Sequence, residues 1–474
     1  MFLNNLLNEI KLLKRSYWIV VLISSNIFLF AFATLNGNKN VKKRINDISQ
    51  VQYDLFRKDS TMLITLAKTE KDEKVDIPYW EIPSEPMTIG NRHPRLAIMQ
   101  PETLSFIATG QSDMYTHFKS PKVYGNNFAL DYSEMVNSVQ LLFGNFDLSF
   151  VIIYLLPLLI IALTYNILSK EKELGNLRLI SSQPISIIKW LLQKTIIRFL
   201  IFTLITLLIL LIILAALSEA YKDISNILNL LLLISAYNMF WFMLALVVNI
   251  KINDSSKNTL TLIGCWLLLV LILPASINQI GYSLYPTPSR LKMINEIRLI
   301  KKENEEKQNE ILDTYLRNHP EMAQGIDKEK FGFWHNYFAS EKAMEEKTKP
   351  LLFEYESQLK KQQKLIGIFK YLSPSILMQQ SLNKIAGTSE KHYNDYKKQV
   401  FEFSNEWRNY LVPMLFKQQK FTTQSYSQLP IFNYKNRIQN NTWLDMLVLV
   451  IVSILIFFIF VSKRLKNRSA QNYI

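Results

Sequence analysis

The chain alternates between long apolar blocks and strongly polar stretches. Six blocks carry almost no charge: about 17–34, 150–168, 196–217, 227–250, 260–280 and 444–461. At 1.5 Å per residue, roughly 20 residues carry a helix across the hydrocarbon of a bilayer, and each block is about that long. The pattern predicts an all-α polytopic membrane protein with six transmembrane helices. Ahead of the first block, Phe2, Leu3, Leu6, Leu7, Ile10 and Leu13 fall on one helical face, with Lys11, Lys14 and Arg15 near its end. Such a helix lies in the membrane surface, which predicts an amphipathic elbow over 1–16 leading into the first crossing. Ala31-Phe32-Ala33 has the small residues of a signal-peptidase site. The apolar block is longer than a signal-peptide core, however, so a retained anchor is expected.

Between the blocks lie two large polar segments, 35–147 and 282–442, each read as one extracytoplasmic domain. The first begins with a polar helical stretch over 40–68, then turns loop-like through Pro78, Pro83, Pro86, Pro94 and Pro101. The second reads as mostly helical. Over 290–317, Met293, Ile297, Ile300, Ile311, Leu312 and Leu316 are set among many Lys and Glu. Over 334–371, Tyr337, Phe338, Met344, Leu351, Leu352, Tyr355 and Leu359 repeat the pattern. Two amphipathic helices bury such stripes against each other, so an intramolecular helical hairpin is expected. A further helix over 393–416 leads back to the last block.

Charge then orients the chain. The protein has 474 residues and a net charge of +15, with 49% hydrophobic and 20% charged residues. The basic residues cluster in short gaps: Lys11, Lys14 and Arg15; Lys170, Lys172, Arg178, Lys189 and Lys194; Lys251 and Lys257; and Lys463, Arg464, Lys466 and Arg468. If the crossings alternate, all of these fall on one side, and basic loops stay cytoplasmic. Both termini, including the basic tail 463–474, are therefore expected in the cytoplasm of a bacterial cell whose inner membrane holds the protein. The positive charge thus needs no nucleic-acid partner. Its natural counterpart is membrane lipid.

The chemistry of most enzymes and ion-coupled carriers is missing. No Asp, Glu, Lys or His lies mid-block, although proton- and ion-driven carriers rely on such groups. Arg198 sits at the cytoplasmic end of the third block, where it can snorkel to the interface. Asn238, Tyr237, Ser235, Asn249 and Thr203 suit helix–helix hydrogen bonds. There is no phosphate loop, no H-E-x-x-H helix and no G-x-S-x-G elbow. His93, His117, His319, His335 and His392 are scattered, and the single Cys265 permits no internal disulfide. No catalytic residue, metal or cofactor is expected in this chain.

The segment 169–194 carries the informative chemistry. It reads Ser169-Lys170-Glu171-Lys172-Glu173-Leu174-Gly175-Asn176-Leu177-Arg178, then Ser181-Ser182-Gln183-Pro184. A membrane helix emerges with alternating charges, Gly175 allows a sharp change of direction, and Pro184 restarts a helix toward the membrane. The Glu-x-Glu-x-Gly pattern, followed by a Leu-rich turn and Gln-Pro, resembles the coupling region of ABC-2 type exporter permeases. The six-helix layout and the N-terminal elbow are similar to the same family. A subgroup with a large domain of unknown function between its fifth and sixth crossings includes the permease of the nitrous-oxide reductase maturation system. Its outer-loop pattern is resembled here by 97–101 and by Leu104 through Gly110-Gln111-Ser112-Asp113. Asn176 stands where the family usually has Thr, and Ala108-Thr109 replaces a more apolar pair. The Gly110 loop reads as a turn whose Ser and Asp satisfy nearby backbone groups.

The resemblance implies a permease pair, homodimeric or of paired paralogues, docked on a cytoplasmic ABC ATPase dimer that binds ATP and Mg. Glu171, Lys172, Glu173, Leu174, Gly175, Arg178, Gln183 and Pro184 would meet the ATPase, together with Leu6, Leu7, Ile10, Lys14 and Arg15 of the elbow helix. ATP-driven closure would tilt the second crossing and move a peptide, lipid-linked or other amphipathic cargo. Two alternatives stand beside export. One is mechanotransmission to an extracytoplasmic partner protein, and the other is an anchor or receptor without energy coupling.

Overall fold

The computed structural model describes the chain apart from residues 1, 16, 74, 111, 113–115, 124–144, 183–185, 218–222, 323–331, 440 and 460–474. It is mostly helical. Helix α1 (Phe2–Arg15) is followed by α2, which runs without interruption from Tyr17 to Glu70. At 54 residues α2 is about 80 Å long, more than twice the thickness of a bilayer core. The sequence pattern suggested an apolar helix ending near residue 34 and a separate polar helix from 40. Instead they are one rod, because no proline separates them. Gly37, the residue most able to break it, is pressed under the Phe106 carbonyl, where a side chain would collide.

Helices α4 (Leu148–Glu173), α6 (Ile187–Ala216), α7 (Ile224–Lys251) and α8 (Ser255–Leu284) follow, with short α3 (Pro86–Arg92) before them and α5 (Asn176–Ser181) between α4 and α6. Together with α2, these give five helices long and apolar enough to cross a membrane, as expected of a membrane-embedded protein. A shorter apolar helix, Trp443–Phe457, packs along α7, and its apolar sequence continues beyond the described residues. The observed α6 begins nine residues before the apolar block at 196, since Lys189, Trp190 and Lys194 extend it amphipathically.

Helix α7 is the hub. It packs on α4, α6, α8 and the last helix, and buries Tyr237, Phe240, Trp241 and Phe242 among Leu156, Ile160 and Phe202. By contrast, the apolar surface of α8 is mostly uncovered, as a lipid-facing helix should be. Both α4 and α8 contain a π-helical turn, Val151–Leu155 and Leu267–Ile272, just before Pro157 and Pro274. Proline lacks an N–H and crowds the carbonyl one turn earlier, so the bulge gives the ring room. The freed carbonyls are claimed by other elements. Tyr237 Oη donates to Ile153 O at 2.9 Å, and Ser373 Oγ donates to Leu269 O at 2.9 Å. In hydrocarbon such carbonyls have no water to bond, so the kinks depend on these donors.

Away from α1, the second half of α2 joins a helical assembly. It comprises α9 (Arg290–Glu306), α10 (Gln308–Asn318), α11 (Phe333–Phe369), α12 (Pro374–Ile385), α13 (Glu390–Phe416) and α14 (Thr423–Ser427), with the last apolar helix numbered α15. A two-stranded antiparallel ribbon pairs β1 (Ala97–Ile98) with β2 (Phe118–Lys119), Ala97 opposite Lys119. The expected helix over 290–317 is two helices meeting at Lys307. Both pack on α11, so the hairpin is intramolecular. Its core joins Leu312, Leu316 and Phe338 to Met62, Leu66, Trp407 and Phe416. The fully buried Trp407 donates Nε1–H to Gly90 O at 3.1 Å.

Nothing in the apolar pattern announced α12. This short helix leaves the far assembly and inserts Leu377, Met378, Leu382 and Ile385 into the same core as α4 and α7. Ser373 caps its N-terminus and Pro374 fills its first turn, where a missing N–H costs nothing.

Candidate functional site

The charged elbow is built at the end of the bundle that carries α1. Helix α4 loses helical form over 165–168 and resumes for one last turn, Ser169–Glu173. The carbonyls released by this break find partners on α7 and α8. Asn249 Nδ2 donates to Thr164 O at 2.9 Å, and Asn258 Nδ2 donates to Tyr165 O at 3.0 Å. The expected helix–helix role of Asn249 is therefore more particular: it splints an interrupted helix.

Beyond the break, Gly175 adopts φ +74°, the left-handed conformation that ends a helix and favours glycine. Among the described residues, nothing beyond its chain neighbours lies within 4 Å of where its side chain would be, so the backbone angle, not space, demands glycine here. Lys172, Glu173, Leu174, Gly175 and Asn176 form an exposed tip, and Leu174 is 62% exposed. Glu173 accepts from Ser255 N at 3.0 Å, which ties the tip to the start of α8.

Glu171 faces inward. It pairs with Lys194 of α6 at 3.0 Å and accepts from Asn176 Nδ2 at 3.1 Å. Lys194 also reaches Glu9 of α1 at 3.8 Å, and its ammonium lies 4.8 Å from the Trp190 ring centre. Arg198, one turn further along α6, pairs with Glu9 at 2.7 Å and donates to Leu163 O at 2.6 Å. This corrects the snorkelling expected of Arg198: its guanidinium is mostly buried, because a carboxylate and a carbonyl meet it inside the protein. Two carboxylates and two cations thus join α1, α4 and α6 in one chain of contacts. Buried charges survive only when paired in this way.

Of the sequence-predicted elbow-helix residues, Leu6 and Ile10 are half-buried, while Lys14 and Arg15 are exposed. The backbone of Leu7 and Arg178 is helical, and Gln183 and Pro184 lie outside the described residues. Sequence reasoning passed over Glu9. Its position at the seventh residue after Phe2, between Leu6 and Leu13, sets a carboxylate on the apolar stripe of α1, and that was the available signal.

At the opposite end, Asp147 is buried and caps α4. It accepts from Phe150 N at 2.9 Å, from Thr109 N at 2.8 Å, from Thr109 Oγ1 at 2.7 Å and from Ser149 Oγ at 2.6 Å. Thr109 thus fastens the loop to α4, together with Ile107 O, which accepts from Ser149 N at 2.8 Å. The loop forms a turn at Gly110, and Ser112 Oγ donates to Thr109 O at 2.5 Å; Gln111 and Asp113 lie outside the described residues. Asp445, 1% exposed in the first turn of α15, meets Lys370 Nζ at 2.5 Å, Lys384 Nζ at 2.9 Å and Ser381 Oγ at 2.9 Å.

A family model described as a domain of unknown function (DUF3526) matches residues 290–435. The matched stretch is the segment between α8 and α15, from α9 through α14. It covers less than half of the chain and leaves the elbow outside. No curated protein and no solved structure matches the chain.

Two histidines of the far assembly are held neutral. Burial and the neighbouring Arg44 push His117 down to about 3. Burial also lowers His335, whose Nε2–H donates to Leu415 O at 3.2 Å while Nδ1 accepts from Gly332 N at 3.2 Å. Among the described residues, no group of three or more His, Cys, Asp or Glu could hold a metal ion.

Proposed function

We propose that this chain is the membrane subunit of an ATP-driven ABC-2 type exporter, with a separate ATPase dimer supplying the work. In this reading six helices cross a bacterial inner membrane, both termini are cytoplasmic, and two permeases, identical or paralogous, form the working unit. Mg and ATP belong to the ATPase. A peptide, lipid-linked or other amphipathic cargo is exported.

The observation that supports this most directly is the pairing of an exposed, glycine-hinged tip with an internally wired base. A push on Leu174 or Lys172 is carried through Glu171, Lys194, Glu9 and Arg198 into α1, α4 and α6 together. A surface helix end with no mechanical role needs no such wiring. Leu6, Leu7, Ile10, Lys14 and Arg15 on α1 would share the docking surface with the tip, as would Arg178, Gln183 and Pro184.

The test is the double variant E171K/E173K, purified with its ATPase. Loss of ATPase co-purification, or a fall in ATP turnover by tenfold or more, is expected. Unchanged association and turnover would remove the coupling assignment, and so would labelling of a Leu174→Cys variant from the outside of intact cells.

A second reading, mechanotransmission, draws on α12. Ser373 and Ser375 hold the kink carbonyls of α8 while Lys370 and Lys384 hold α15, so movement of these membrane helices must drag the far assembly with it. Deleting residues 290–370 separates the two readings: cargo export survives that deletion under simple translocation and fails under mechanotransmission.

A further inference from the structure

One stripe of α2 stays largely exposed, touched only where the Phe146 ring meets Phe32 edge-on at 5.4 Å among the described residues. Phe28, Phe32, Leu35, Lys39, Lys42 and Asn46 follow one another at intervals of four, three, four, three and four residues, which places them on a single stripe. Phe28 is 66%, Phe32 50% and Leu35 70% exposed, and the two rings stack 6.1 Å apart. Directly beyond them, a shallow groove along the helix is lined by Leu35, Asn38, Lys39, Lys42, Lys43, Asn46 and Asp47. Lys39 and Lys42 are exposed, and neither has a hydrogen-bond or ion-pair partner among the described residues.

Their height along the rod decides what they face. Tyr17 and Trp18, 81% and 58% exposed, begin the apolar part of α2. Lys39 lies 22 residues further on, about 33 Å at 1.5 Å per residue, and Lys42 about 37 Å. The hydrocarbon core of a bilayer is about 30 Å thick and the headgroup layers extend it by several ångströms on each side. Both ammonium groups therefore emerge among the headgroups of the leaflet farther from α1, while the stacked phenylalanines remain at the depth of the acyl chains.

We propose that this stripe binds an anionic phospholipid of that leaflet. One acyl chain lies along Phe28, Phe32 and Leu35, and the phosphodiester sits between Lys39 and Lys42 with the Asn46 amide as a further donor. A second copy of the chain fits the stripe poorly. A twofold contact along it would set Lys39, Lys42 and Lys43 against their own counterparts, with Asp47 the one carboxylate among the described residues that line the groove. A soluble anion would use the lysines but leave the aromatic half of the stripe without a role. The proposal rests on membrane embedding and not on the coupling reading, so either can fail alone.

Native mass spectrometry of the detergent-purified full chain tests it, with phosphatidylglycerol and phosphatidylcholine offered in equal amounts. Preferential retention of phosphatidylglycerol is expected, falling roughly fivefold for each lysine removed in K39A and K39A/K42A. K39R/K42R should restore it, and K417A/K420A, exposed beside the segment whose Thr423 N donates to Glu70 at the far end of α2, should leave it unchanged. K39A/K42A touches no internal contact, and an unshifted melting temperature would show that it folds. Equal retention of both lipids, or full retention by K39A/K42A, would overturn the proposal. Displacement of the lipid by an excess of inorganic phosphate would reassign the lysines to a soluble anion. Cross-linking of Leu35→Cys between two copies at lipid saturation would give the face to a second subunit.

Discussion

The two ends of the helix bundle handle buried charge in opposite ways. At the elbow, Glu171, Lys194, Glu9 and Arg198 form an open chain with an exposed tip attached to it. At the far end, Asp445 is closed on every side by Lys370, Lys384 and Ser381, and nothing protrudes from it. An open chain can transmit a displacement applied from outside, whereas a closed knot can only hold its members in register. The difference teaches that the same residue types build a rivet where all are enclosed, and an arrangement suited to the proposed lever where one member remains exposed.

The largest expected effect comes from breaking the rivet. Asp445→Ala leaves two ammonium groups partly buried and unpaired, and removing one partner of a buried ion pair costs about 3–5 kcal/mol. Chemical unfolding in detergent should show that loss. Replacing Asp445, Lys370 and Lys384 together by Leu, Met and Met should recover much of it; if the triple variant is as unstable as the single one, the knot does more than fasten.

Glu9→Gln tests the lever. Arg198 keeps the Leu163 carbonyl but loses its carboxylate, so a cost of about 2 kcal/mol is expected, in line with hydrogen bonds to charged groups. Glu171→Gln should cost less than about 1 kcal/mol, because that carboxylate is only half-buried and Lys194 retains Glu9. Equal effects at Glu9 and Glu171 would mean that the two are not in series. At the kink of α4, Tyr237→Phe strands the Ile153 carbonyl and should cost about 1 kcal/mol, the scale of a hydrogen bond between membrane helices. Its melting temperature should fall by only a few degrees.

An effect of a different kind distinguishes the far assembly by pH. The His117 imidazole is driven to about 3 in the folded chain against an ordinary 6.5. The unfolded chain therefore takes up a proton as pH falls below 6.5, while the folded chain does not. The stability associated with a neutral His117 is complete above pH 6.5 and declines as pH drops toward 3. His335 adds to the same trend, since protonation of Nδ1 would destroy its acceptor for Gly332 N. Melting temperatures between pH 7.5 and 5 should fall, and His117→Asn should make the slope shallower. An unchanged slope would show that His117 is not shielded from the proton.

How much was legible beforehand follows sequence distance. Glu171, Glu173 and Gly175 lie within five residues, and Lys194 belongs to the same short basic gap, so their grouping could be read directly. Glu9 meets Arg198 across 189 positions, and Asp445 meets Lys370 across 75. No local pattern announces such pairs. Arg198 consequently read as a snorkelling end, and α12 read as part of a polar segment.

The alternation of apolar and polar blocks by itself determined a helical, membrane-embedded protein with an amphipathic start and a charged, glycine-hinged break after the second block. Those features depend on periodicity and on the preferences of single residues, which act over a few turns. Only the tertiary structure decided that α2 is one rod and that α12 returns into the bundle. It also decided that Tyr237, Ser373 and Asn249 close the gaps that Pro157, Pro274 and the break at 165–168 open in the backbone. Each of those outcomes depends on which distant donor stands beside an exposed carbonyl, and that is fixed by packing alone.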